Sequence, residues 1–152
     1  MDNFEVSLND VLVDTFNLIL KYEESSLKKI VSDPVTITEA HMIEAIGMNE
    51  IEDTTVSEIA SLMNVSAPTV TVALKKLESK GFINKTRCVK DGRRTIISLT
   101  EKGKKVDRAH GLFHKRMVKN ISNQFHEAEK EVLFRAVSKL SDFFKDRINQ
   151  KA

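Results

Sequence analysis

The chain has 152 residues, 41% hydrophobic and 30% charged. This balance suits one folded domain and excludes a disordered chain or one built of membrane-spanning helices. The net charge of +2 conceals a division: residues 75–108 hold twelve basic and four acidic side chains, a local +8, and the remainder sums to −6. A basic middle between acidic flanks suits a phosphate-binding surface on a scaffold that does not touch nucleic acid, with a solvated basic face as the alternative.

Residues 8–31 read as a helix, because Leu8, Val11, Leu12, Thr15, Phe16, Ile19 and Leu20 recur at helical spacing. Asp33-Pro34 breaks the chain. Thr36 or Thr38 caps a second helix running to about Met48, with Ile43 and Ile46 inward, and residues 49–54 form a polar loop. Thr55 and Glu58 have capping-box spacing at the head of a short helix ending near Met63. Asn64-Val65 makes a turn, and Ser66 caps a further helix with Pro68 in its first turn. That helix runs to Lys80, where Gly81 stops it. Two strands follow, Phe82 to Arg87 and Arg93 to Leu99, around the turn Val89-Lys90-Asp91-Gly92. Thr100 caps a long helix to about Asn120, weakened locally by Gly103 and Gly111, and a last helix runs from near His126 to about Asn149. The fold class is mainly α with a small β-wing.

Short helix, turn, second helix and hairpin make the order of a winged helix-turn-helix that reads duplex DNA. On the second helix of the pair Val70, Ala73, Leu74 and Leu77 face inward. Ser66, Pro68, Thr69, Thr71 and Val72 present small and hydroxyl groups to bases, while Lys75 and Lys76 suit phosphates. In the hairpin, Arg87, Arg93 and Arg94 suit a minor groove, and Asp91 is placed to orient Arg93.

These residues resemble the MarR family of bacterial regulators. The resemblance is carried by Leu62-Met63-Asn64-Val65-Ser66-Ala67-Pro68-Thr69-Val70-Thr71, by Leu77-Glu78-Ser79-Lys80-Gly81-Phe82-Ile83, by Asp91-Gly92-Arg93-Arg94, and by Ile97-Ser98-Leu99-Thr100-Glu101-Lys102-Gly103. It implies a single domain over residues 1–152: dimerisation helices at about 4–31 and 101–150 and a winged lobe at about 36–100. It also implies a homodimer whose recognition helices enter successive major grooves of a pseudo-palindromic operator. The residues support such a dimer independently. Leu133, Val137, Leu140, Phe144 and Ile148 form one stripe on the last helix, with Phe143 beside it.

Two branches of the family bear on what is sensed. His110 and His114 lie four apart on one helix, a spacing that suits one metal ion. With His41 and with Glu23 or Glu24 they resemble the ligand set of the zinc-responsive branch; a polar pocket is the other reading. The segments Ile37 to Gly47 and Phe113 to Val118 resemble the fatty-acid-biosynthesis repressors. That resemblance implies a response to long-chain acyl groups on acyl carrier protein, with the acyl chain in an apolar tunnel. His41, His110 and His114 would then orient helices around it, and Lys115, Arg116 and Lys119 would face the acidic carrier.

No G-x-S-x-G, phosphate loop or supported Cys-His pair points to an enzyme. The lone Cys88, at the end of a wing strand, reads as a partly exposed thiol rather than a redox switch. It fits a reducing compartment, and with no signal-peptide pattern at Met1-Asp2-Asn3-Phe4-Glu5 the expectation is a cytoplasmic protein that binds DNA and no membrane.

Overall fold

The computed structural model describes residues 2–32, 34–48, 54–88 and 95–149. In chain order the elements are α1 (Asn3–Ile30), α2 (Ile37–Gly47), α3 (Val56–Met63), α4 (Ala67–Ser79), β1 (Ile83–Arg87), β2 (Thr95–Leu99), α5 (Glu101–Ser122) and α6 (Glu127–Asn149). The chain divides into two compact units, Met1–Phe113 and His114–Ala152. No helix among the described residues is long and apolar enough to cross a membrane.

Three helix starts in the first unit share one device. Asp2, Thr36 and Thr55 each accept from the backbone N–H three residues on, and Glu5, Glu39 and Glu58 each return a carboxylate to the cap. The reciprocal bonds satisfy N–H groups that a helix start otherwise leaves open. Asp2 and Glu5 start α1 five residues before the expected position, because a cap there outweighs the polar character of the first turn.

The core of this unit gathers Ile43 and Ile46 of α2, Ile59 of α3, Val70, Leu74 and Leu77 of α4, and Phe82, Ile97 and Leu99 around the strands. Leu27 and Val106 join it from α1 and α5. The strands pair antiparallel, Ile83 opposite Leu99 through Arg87 opposite Thr95. Thr54, expected to lie in a loop, is buried and bridges to β2, its carbonyl accepting from the Ile97 N–H at 2.9 Å. Gly103, expected only to weaken α5, is required there: a Cβ would lie 2.2 Å from the Phe82 carbonyl oxygen.

The second unit, described by itself, contains the end of α5, a turn through Phe125, and α6. Among its described residues α6 has none that is buried. Phe134 is 74% exposed, and Val132, Val137, Phe143, Phe144 and Ile148 are exposed as well.

Candidate nucleic-acid interface and a buried histidine cluster

The turn between α3 and α4 is set by Asn64, the one described non-glycine residue with positive φ (52°). Asparagine tolerates this left-handed conformation, and the Val65 N–H then reaches the Ala60 carbonyl at 3.0 Å. Ser66 caps α4 by accepting from the Thr69 N–H at 3.4 Å. The far end closes on Gly81, with φ of 75°: its N–H bonds the Glu78 carbonyl and the Phe82 N–H bonds the Leu77 carbonyl, both at 2.9 Å.

Burial sorts α4 as the sequence divides it. Val70, Leu74 and Leu77 are buried, and Ala73 is half-buried. Ser66, Pro68, Thr69, Thr71, Val72, Lys75 and Lys76 are all exposed and together form the outer face. The hydroxyls on this face are already ordered. Those of Ser66 and Thr69 are bonded at 2.8 Å, and Thr71 donates its hydroxyl hydrogen to the Ala67 carbonyl at 2.9 Å. Thr71 therefore offers a partner its methyl group and oxygen lone pairs, which suits a thymine methyl or an exocyclic amine.

Two ion pairs fix the helix in the lobe. Lys80 donates to both Glu39 oxygens, at 2.7 and 2.9 Å, and to the Pro34 carbonyl at 3.2 Å. Lys85 on β1 reaches Glu78 at 2.6 Å. Partial burial pushes the Glu39 carboxyl up, but the bonds from Lys80 and Thr36 and the Lys80 charge outweigh it, so the group lies below its ordinary value. Arg87 is exposed at the end of β1. Lys90, Asp91, Arg93 and Arg94 lie outside the described residues, as does the expected contact between Asp91 and Arg93.

A polar cluster on α1, α2 and α5 lies inside the first unit. Glu23 of α1 is 2% exposed and His110 of α5 is fully buried. The Nε2 atoms of His110 and His41 both bond the same Glu23 oxygen, that of His41 at 3.1 Å. The two imidazoles stand 5.3 Å apart between centroids, and His110 Nδ1 lies 3.4 Å from a Glu44 oxygen. One carboxylate thus joins α1, α2 and α5.

Residues 35–95 match the family model described as the MarR family. The fold resembles the crystal structure of Streptococcus pneumoniae FabT in complex with DNA, with a TM-score of 0.87, 34% identity, and coverage of 93% of this chain and 98% of that one. This chain belongs to the MarR family. It is also 34% identical to the HTH-type transcriptional regulator SarZ of Staphylococcus saprophyticus subsp. saprophyticus, over 75% of this chain and 70% of that protein. Against the transcriptional regulator ZitR of Lactococcus lactis subsp. cremoris the identity is 26%, over 95% and 96%.

The chain is thus a MarR-type, DNA-binding transcriptional regulator with an exposed polar face on α4 and a buried node of Glu23, His41 and His110. Of the residues expected near that node, Glu23, His41 and His110 come together. Glu24 does not: it is exposed and pairs with Lys28 at 2.7 Å, so among the two neighbouring glutamates only Glu23 turns inward. His114 is half-buried in the second unit. Sequence reasoning missed Glu44, although it lies three residues from His41 and so on a neighbouring position of α2. It also missed Lys80 and Glu39, whose partnership across 41 residues has no local signal.

Proposed function

We propose that this MarR-family chain acts as a homodimeric repressor of fatty-acid-biosynthesis genes and responds to long-chain acyl groups on acyl carrier protein. The observation that carries the reading is the likeness to FabT over 93% of the chain. The segments Ile37 to Gly47 and Phe113 to Val118 support it. Two recognition helices would read successive major grooves of a pseudo-palindrome, with Thr71 and Pro68 at bases and Lys75 and Lys76 at phosphates. The wing, with Arg87, Arg93 and Arg94, would meet flanking minor grooves. The exposed apolar side chains of α1 and α6 supply a surface for dimerisation.

The buried cluster favours a second reading, a zinc-responsive regulator. Glu23, His41 and His110 offer one carboxylate oxygen and two imidazole nitrogens within 4.8 Å of one another. Oxygen and imidazole donors of this kind fit zinc, and the residues that would hold it are these three. An effector of either kind acts only through a difference in affinity for two shapes of the protein. The test is operator affinity at fixed salt with chelator, with zinc, and with long-chain acyl carrier protein. The acyl reading expects the carrier to change affinity and zinc to do little. A chelator-sensitive affinity restored by zinc, and lost in His110→Ala, establishes the second reading instead.

A further inference from the structure

Thr100 and Lys102 stand at the head of α5 and have no place on the exposed face of α4. Their polar atoms nevertheless go to the end of that helix. Lys80 is the C-cap of α4, and its carbonyl accepts from the Lys102 ammonium at 2.8 Å. The next carbonyl, that of Gly81, accepts from the Thr100 hydroxyl at 2.7 Å. The one after it, that of Phe82, accepts from the Thr100 N–H at 3.0 Å. Successive carbonyls of the chain leaving α4 are each met from the start of α5.

The fit is close on the α5 side as well. The Thr100 hydroxyl that donates to Gly81 also accepts from the Gly103 N–H at 3.1 Å, so one oxygen closes the exit from α4 and caps α5. Gly103 itself lies against the Phe82 carbonyl, where a Cβ has no room. Lys102 is half-buried, with its ammonium 4.6 Å from the centre of the buried Phe82 ring. A cation there also faces the negative end of the α4 dipole. From the α2 side, Glu39 and the Pro34 carbonyl hold the Lys80 side chain. The C-terminal end of α4 is therefore held from two sides, while Ser66, Thr69 and Thr71 at the other end are exposed.

We propose that Lys102 is a positioning residue for base reading: without touching DNA, it anchors the end of α4 and so fixes the angle at which Thr71 and its neighbours meet base edges. Thr71 precedes Lys80 by nine residues, about 13 Å along the helix, so a tilt at the anchored end displaces the reading end. Hydrogen bonds to base edges are short and directional, whereas attraction to phosphates tolerates small displacements. Loosening the anchor therefore weakens binding to a cognate site more than binding to a random one. The assignment rests on the proposed reading of bases by α4.

The test uses the full-length protein, a duplex selected from a randomised pool, and a scrambled duplex of the same composition. Lys102→Met keeps an unbranched side chain beside the Phe82 ring and removes the ammonium. The ratio of affinities for the selected and scrambled duplexes is expected to fall about fivefold, the scale of one hydrogen bond. The salt slope should stay unchanged, and circular dichroism and the unfolding midpoint should stay close to wild type. A lysine that met a phosphate would behave differently: its loss would weaken both duplexes alike and lower the salt slope by about 1. That result overturns the proposal. So does an unchanged ratio in the folded variant, whether or not the unfolding midpoint falls. Thr71→Ala is the control for the reading on which the assignment rests. If Thr71→Ala narrows the ratio and Lys102→Met does not, only the positioning role fails. If no sequence is enriched, or Thr71→Ala leaves the ratio whole, the base reading fails and the positioning role with it.

Discussion

Leu74 of α4 and Phe134 of α6 are both large apolar residues on amphipathic helices, yet the first is 1% exposed and the second 74%. Around Leu74 the chain closes on itself: α2, α3, α4 and both strands contribute to one core. On α6, Val137, Phe143, Phe144 and Ile148 stay open together. The contrast separates a lobe that one chain completes from a helix whose apolar stripe requires more surface than one chain supplies. Aliphatic and aromatic side chains exposed in such a row are costly in water and mark an association surface.

The sharpest way to break this comparison is to place charges in the α6 stripe. Val137→Asp/Phe144→Asp should convert a dimer into a monomer in sedimentation velocity and abolish high-affinity operator binding, while the lobe keeps its helical signal. A wild-type protein that sediments as a monomer would remove the distinction. Within the lobe the largest effect belongs to Leu74→Ala. It should cost about 2–5 kcal/mol in denaturant unfolding, because the site is surrounded and cannot collapse freely.

Glu23→Ala comes next. It removes the carboxylate that both histidines share, leaving the buried His110 Nε2 without that acceptor. A loss of about 1–3 kcal/mol is expected in the same unfolding assay. The smallest effect is at the clamp between α2 and α4. Glu39→Gln should cost about 1 kcal/mol or less, since the Lys80 side chain is 36% exposed. Its pH dependence has a definite sign. The folded-state pKa of Glu39 lies below its ordinary value, so the stabilisation is fully present above the ordinary carboxylate range. It is lost as pH falls through the lower folded value. The stabilities of wild type and Glu39→Gln should therefore converge in acid, as pH falls through that lowered value.

The helix-turn-helix was legible in the sequence because its signals are local. Capping residues Thr55 and Ser66, the turn at Asn64, the stop at Gly81 and the inward set Val70, Leu74 and Leu77 each act within a few residues. Helical spacing singled out His110 and His114 and the family resemblance added His41, but neither decided between Glu23 and Glu24. That choice depends on which α1 face meets α2 and α5, and it is made by packing. Thr54 bridging to Ile97, Gly103 against Phe82, and Glu39 with Lys80 are long-range contacts between residues ordinary in their local sequence.

We propose that the exposed face of α4 reads duplex DNA. It is tested most directly by selecting duplexes from a randomised pool and measuring affinity for the selected and a scrambled site across a salt series. Enrichment of a pseudo-palindrome is expected, with a steep fall of affinity with salt on both duplexes. Thr71→Ala should narrow the difference between the two sites, whereas Lys75→Ala should weaken both alike and lower the salt slope. Enrichment of no sequence, or equal losses on both duplexes for Thr71→Ala and Lys75→Ala, would contradict it.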